Sequence, residues 1–151
     1  MADPVPAPAG GRDAVRDADG WKEWLVGQPD EFNQAVLGPM HARREGERAR
    51  VRLHPQTRHL NVNRVIHGGI ILGFADVAIF AGASTVLDKN FIGGATVELN
   101  TQFVGPGDGN EPLDAVVEVV RETGRMVFAR GLMVQDDATI ASFSGIFRKP
   151  S

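Results

Sequence analysis

Between Ile70 and Leu87 the chain reads IILGFADVAIFAGASTVL, and Asp76 is the one charge in that run. On either side the apolar positions recur with a period of two. The run itself predicts a helix beginning near His67–Gly69 and ending near Leu87, where Lys89-Asn90 breaks it. Upstream, Arg48 to His54 sets Ala49, Val51 and Leu53 against Arg48, Arg50 and Arg52, the pattern of a half-buried strand closed by Pro55. Downstream, Thr96 to Val104 places Val97, Leu99, Thr101 and Phe103 on one face. Leu113 to Glu122 does the same with Leu113, Ala115, Val117 and Val119. Met126 to Gln135 has Met126, Phe128, Leu132 and Val134 in phase, and Thr139 to Phe147 has Ala141, Phe143, Gly145 and Phe147. Gly105 to Asn110, Thr123-Gly124 and Asp136-Asp137 read as the turns between them.

The first third of the chain is patterned more weakly. Trp21 to Val26 reads as a short helical turn. Pro29-Asp30 reads as a helix start, with Phe32, Ala35 and Val36 at helical spacing and Gly38-Pro39 as its end. His41 to Arg48 is polar and mixed in charge, which predicts a loop, and Gln56 to Ile66 is an irregular link. The predicted order is therefore strand, long helix, then four strands in an antiparallel meander, an α+β chain. A helix apolar on nearly all sides must be enclosed. One curved sheet covers part of it, and a second copy of the chain would cover the rest.

The same run is just long enough to be weighed as a membrane span, for which about 17–25 residues are needed. Asp76 in its middle, with Gly82, Ser84 and Thr85 near its end and no preceding basic cluster, favours a core helix, so no membrane partner is expected. A chain of 151 residues fits one domain. Residues 1–20, rich in Pro and Gly and lacking an apolar stretch, read as a flexible arm rather than a secretory signal. The domain proper is then 21–151, with the cytoplasm as the expected location. A net charge of −3 argues against a nucleic-acid partner. With no Cys there is no disulfide, thiolate metal site or Cys nucleophile. His54, His59 and His67 lack metal-ligand spacing. Arg43, Arg44, Arg48, Arg50 and Arg52 alternate with Glu45 and Glu47 and read as a solvated face, with contact to the phosphates of a ligand as a lesser alternative.

The candidate chemistry centres on Asp76. A carboxylate in an apolar setting must be paired, protonated or used. Seven residues earlier, His67-Gly68-Gly69 would open the helix, where backbone N–H groups lack intrahelical partners. Glycine there lets another molecule approach the backbone closely. A structural Asp76, bonded to backbone or to Arg64, is the plain alternative. Asn61 and Asn63 are turn-capping candidates, Asn63 the stronger, and Thr96 is a residue common in strands anyway.

Asn61, His67-Gly68-Gly69 and Asp76 nine positions after the His, followed by the strand ATVELNTQF from Ala95 to Phe103, resemble the hotdog-fold acyl-CoA thioesterases, in their phenylacetyl-CoA thioesterase-like branch. The resemblance runs from about Phe32 to Phe147. It implies an antiparallel sheet of about five or six strands wrapped around one long central helix, assembled as a homodimer and often as a dimer of dimers. It implies hydrolysis of an acyl-CoA thioester to acid and coenzyme A, with no cofactor, at a site shared by two subunits. Asp76 then matches the catalytic carboxylate and Gly68 the backbone donor to the thioester carbonyl. Asn61 matches a polar residue beside the reacting centre, and Thr96 falls where some members orient a water. His67 and Gly69 take supporting roles, and Phe74, Ile79 and Phe80 are expected to line the acyl pocket.

Helix geometry supports a shared site without the family. Eight residues separate Gly68 from Asp76, about 12 Å at 1.5 Å rise per residue. A reacting carbonyl lies about 3 Å from both its oxyanion donor and its nucleophile or base, so one helix cannot present both. Two helices packed antiparallel about a two-fold axis can. Asp76 acts either as nucleophile or as general base on a water. Two other functions compete. A non-catalytic acyl-CoA-binding module would suit a chain with an apolar residue in place of Asp76. A hotdog hydratase would need an Asp-x4-His arrangement that this chain lacks.

Overall fold

In the computed structural model, residues 19–151 are described. The arm expected over residues 1–20 lies, but for its last two residues, outside them. Seven strands form one antiparallel sheet: β1 (Lys22–Trp24), β2 (Met40–Glu45), β3 (Arg48–Leu53), β4 (Ala95–Phe103), β5 (Leu113–Glu122), β6 (Met126–Gln135) and β7 (Ala138–Arg148). Helix α1 (Gly68–Leu87) lies between β3 and β4 in the chain. Across the sheet the order is β1-β2-β3-β5-β6-β7-β4.

Four expectations change. The segment read as a helical turn at Trp21 to Val26 contains β1, and the loop read at His41 to Arg48 contains β2. Paired to β3 from Met40↔Leu53 to Glu45↔Arg48, β2 buries Met40 and Ala42 and sends its charges outward. Those charges are matched rather than merely solvated. Glu45 holds Arg43 and Arg50, while Asp114, largely buried, holds Arg50 and Arg52. The guanidinium groups of Arg43 and Arg52 each lie 4.5 Å from the ring of Trp21, a cation–π sandwich. The helix expected from Pro29 is a five-residue wide turn, Asn33–Leu37, closed by a bond from the Gly38 amide to Asn33 O at 3.0 Å.

The fourth change is topological. The last four strands are not a simple meander, because β4 pairs with β7 at the far edge and only β5, β6 and β7 follow one another. The turn after β4 therefore crosses to the other side of the sheet. It is fastened there by Gln135, which accepts from the Asp108 amide at 2.7 Å and donates to Asp108 O at 2.8 Å.

The core lies between α1 and one face of the sheet. Phe74, Ala78, Ile79 and Ala81 from the helix meet Val51, Leu113, Val117 and Phe147, all fully buried. At the tightest approach a Cβ on Gly82 would lie 2.5 Å from Val117 Cβ, so no larger residue fits without displacing helix from strand. On β6 the inward set is Val127, Ala129 and Met133; the residues predicted in phase, Met126, Phe128, Leu132 and Val134, point the other way. The helix passes a length-and-hydropathy test for a membrane span, but half of it is buried against the sheet. It is not enclosed all round. Gly69, Leu72, Gly73, Asp76 and Phe80 form a stripe at helical spacing that the chain leaves at least partly open.

Candidate functional site

The start of α1 is tied down from three sides. The His67 amide donates to His59 O at 2.8 Å, and the Ile66 amide to Gly107 O at 2.9 Å. His59, fully buried, receives the Gln56 amide on Nδ1 at 3.0 Å and holds Val36 O through Nε2 at 2.6 Å. Nδ1 is thus the acceptor and Nε2 carries the proton. Burial, assisted by the nearby Arg58 charge and opposed by the bond to Val36, holds the His59 pKa below the ordinary histidine value. Asn61 closes the preceding loop, its Oδ1 accepting from the Asn63 amide at 2.9 Å and the Val65 amide at 3.3 Å. The capping residue of this turn is Asn61, not Asn63.

Four N–H groups open a helix without intrahelical partners. Here three are occupied. The His67 amide is on His59 O, His67 Nδ1 accepts from Gly69 at 2.8 Å, and His67 O accepts from Ile70 at 2.9 Å, while Ile71, at 3.1 Å from the same oxygen, makes the first ordinary helical bond. The amide of Gly68, the first helical residue, has no hydrogen-bond partner among the described residues. His67 and Gly69 thus spend their polar groups on each other and leave Gly68 free. The Phe103 ring covers this end, 3.3 Å from where a Gly68 Cβ would be.

Two turns further on, the Asp76 carboxylate is half-buried, and Thr96 Oγ1 donates to its Oδ1 at 2.6 Å. Thr96, not Arg64, is the partner the structure gives Asp76. This contact depends on a β-bulge. Along β4, Glu98, Asn100 and Gln102 pair with Ile146, Ser144 and Ser142, while Leu99, Thr101 and Phe103 pair with the inward-facing Gly145, Phe143 and Ala141. Strict alternation would put Thr96 with the first set. The register shift between Thr96 and Glu98 pairs it instead with the buried Phe147, on the helix side. An extra residue, Val97, re-aims the hydroxyl at the carboxylate.

Asp76 stands at one end of a cleft of about 170 Å³ lined also by Trp24, Val26, Asn33, Val77, Phe80, Ser84 and the loop Phe91 to Gly94. Of the three residues expected to line an acyl pocket, Phe80 does so. Phe74 and Ile79 are fully buried in the core on the opposite side of the helix. Sequence reasoning does not find Trp24, Asn33, Phe91 or Ile92. A short edge strand and an irregular turn carry no periodic signal, although the apolar, glycine-ended Phe91-Ile92-Gly93-Gly94 so soon after the helix is a hint. The structure brings Asp76 and Thr96 together; His67 and Gly68 lie at the start of the same helix, and Asn61 in the loop that precedes it. Gly68 and Asp76 lie eight residues apart on one continuous helix. Among the described residues no three His, Asp or Glu side chains gather as metal ligands.

Comparison with known proteins gives a consistent picture. The family described as the Thioesterase superfamily matches residues 63–142. A Pseudomonas aeruginosa protein, PA0474, whose name assigns it provisionally to the esterases, is 29% identical over 117 residues, 76% of this chain and 86% of its own. Among solved structures, the PaaI protein of the E. coli phenylacetic acid degradation operon superposes with a TM-score of 0.66 at 18% identity, covering 81% of this chain and 86% of that one. The TT0310 protein of Thermus thermophilus gives 0.65 at 19% identity, covering 82% and 99%. The BH2602 protein of Bacillus halodurans, solved with CoA, gives 0.56 at 29% identity, covering 66% and 65%.

Proposed function

The chain belongs to the Thioesterase superfamily and is a thioester hydrolase, and from that premise we propose that it hydrolyses acyl-CoA in the cytoplasm, at a site shared by two copies. Asp76 is the nucleophile or general base and Gly68 of the second copy is the oxyanion donor. The observation that carries this reading is the Asp76 carboxylate, held by Thr96 at 2.6 Å, at the head of an otherwise largely apolar cleft. Thr96 occupies Oδ1 and leaves Oδ2 open. In the base role, a water beside Oδ2 would give its proton to the carboxylate with Thr96 as a neighbouring acceptor. The water then loses a proton to Asp76 and its oxygen adds to the thioester carbonyl. The carbonyl oxygen takes up the negative charge at the free amide of Gly68, where the helix dipole also favours it. Collapse of the adduct expels the coenzyme A thiolate and leaves the free acid.

Strand β4 supports the shared arrangement. Among the described residues it is an edge strand with nothing paired on its outer side, and Val97, Phe103 and Val104 on or beside it are more than half exposed. Unpaired edges of this kind are built to be covered. Thr96, near one end of β4, touches Asp76, and Phe103, at the other, covers Gly68. Antiparallel pairing of β4 with its own copy, about a two-fold between Leu99 and Asn100, would set Thr96 of one chain opposite Phe103 of the other. Asp76 of one chain then approaches Gly68 of the second, closing a gap of about 12 Å along the helix. Asn61, beside the helix start, would face the same centre. Dimers of this kind are free to pair again through their outer sheet faces.

Asp76→Asn tests the reading. It keeps the size of the side chain and the bond from Thr96 but removes the base. Thiol release from the best acyl-CoA should fall by about a hundredfold or more in a variant that unfolds at the same urea concentration. A folded variant at the wild-type rate rejects the mechanism, and tight acyl-CoA binding by a wild-type protein that releases no thiol would mark a binding module instead.

A further inference from the structure

Asp76, Phe80 and Ser84 follow one another at four-residue spacing, so the cleft runs along the helix for about 12 Å from the carboxylate. Most of its wall is rigid. Phe80 stacks on the fully buried Phe147 with ring centroids 4.1 Å apart, and Phe91 meets the same ring edge-on at 5.3 Å. A Cβ on Gly94 would lie 2.6 Å from Arg148 O and 3.0 Å from Phe80, so the loop carrying Phe91 is seated closely against them. Trp24 is different. It ends the three-residue strand β1, which is held on one side only, through Trp24↔Met40 and its two neighbours.

Trp24 also has empty space behind it. Two further cavities, of about 610 and 370 Å³, adjoin the cleft, and Trp24 and Ser84 line all three. The indole is the large side chain among these shared walls. An apolar cavity of about 150 Å³ is enough to hold a benzene ring. The 170 Å³ on the Asp76 side is of that size, matched to a single ring or a short acyl group.

Resting on the reading of Asp76 as the reacting centre, we propose that Trp24 is the specificity-determining residue for acyl length, an end wall that confines the enzyme to compact acyl groups. Without the indole the cleft joins its neighbours, and an unbranched chain passes Ser84 into an open groove floored by Ala42 and Thr85 and edged by the charged Lys22, Glu23, Arg43, Arg44 and Asp88. The test compares phenylacetyl-CoA with decanoyl-CoA on the wild type, Trp24→Leu and Trp24→Ala. The ratio of kcat/KM, decanoyl over phenylacetyl, should rise about tenfold or more in Trp24→Ala, with Trp24→Leu between, since pocket size discriminates on that scale. In an Asp76→Asn background, calorimetric binding of the two thioesters reads the same ratio without turnover. If Trp24→Ala does not fold, Trp24→Leu carries the comparison. An unchanged ratio in folded variants overturns the role of Trp24. A wild type that hydrolyses neither thioester would instead reject the proposed function, while the binding ratio would still judge the wall.

Discussion

Replacing Gly68 by proline isolates one hydrogen-bond donor. Gly68 is the first helical residue, where proline is well tolerated because its missing N–H would have no intrahelical partner. The residue before it, His67, has φ −63° and ψ 139°, the extended conformation that a following proline demands. The new ring meets only Phe103, a half-exposed side chain able to swing aside. Folding stability should therefore change by less than about 1 kcal/mol. The catalytic effect should be much larger. Loss of one oxyanion donor costs about 2.7–4 kcal/mol of barrier, a factor of about 10²–10³ in rate. Neighbouring amides cannot substitute, because those of Gly69, Ile70 and Ile71 are already bonded to His67. Thiol release from acyl-CoA gives the rate, urea unfolding the stability, and Gly68→Ala, which keeps the N–H, is the control. Gly68→Pro that folds and retains the wild-type rate refutes the oxyanion role. The same variant tests sharing. In a heterodimer with Asp76→Ala, a site built from two chains leaves one site intact and concentrates both lesions in the other. Half of the wild-type activity should return in purified heterodimers, and about a quarter of all sites in an equilibrated equal mixture. If each chain supplies its own pair, confirmed heterodimers recover nothing.

Two further predictions concern the scaffold. Gly82→Ala gains about 1 kcal/mol of helix propensity but drives a methyl to within 2.5 Å of Val117, and overpacking of this kind costs about 1–3 kcal/mol. Net destabilisation in urea is expected, relieved by Val117→Gly, which removes the Cβ along with both methyls, but only in part by Val117→Ala, which leaves the 2.5 Å contact; no coupling with Val117→Gly would contradict the close approach. His59 is kept neutral by the fold, its pKa held below the unfolded value of about 6.5 by burial. The unfolded chain then binds the proton first, so stability is intact above about pH 6.5 and declines as pH falls from there toward the folded-state value. Urea midpoints at neutral and mildly acidic pH should show that slope, and His59→Phe should reduce it. An unchanged slope places the proton uptake elsewhere.

What the sequence discloses is governed by whether a residue's role is local. Strands β5 and β6 match their predicted bounds because Thr123-Gly124 and Asp136-Asp137 punctuate a regular alternation, and α1 matches because its length and single charge are unlike anything else in the chain. Strand β2 is hidden because its inward residues are only Met40 and Ala42, and its charges, which read as solvated, join a network anchored by Asp114 more than sixty residues away. Periodicity assigns the wrong face of β6 because Ala129 and Gly131 interrupt the inward set of Val127 and Met133, while Met126, Phe128, Leu132 and Val134 make the outer side the more apolar in sequence. The site divides the same way. The helix start and Asp76 are legible as a motif on one element. Thr96 is located by its distance from that motif, but local alternation would turn it away from the helix. Only the bulge at Val97, a property of pairing with β7, brings its hydroxyl to Asp76. The irregularity is confined to the end of an edge strand whose other side is open. That is where an extra residue can be accommodated without disturbing a second neighbour, and where a second chain would meet both halves of the chemistry at once.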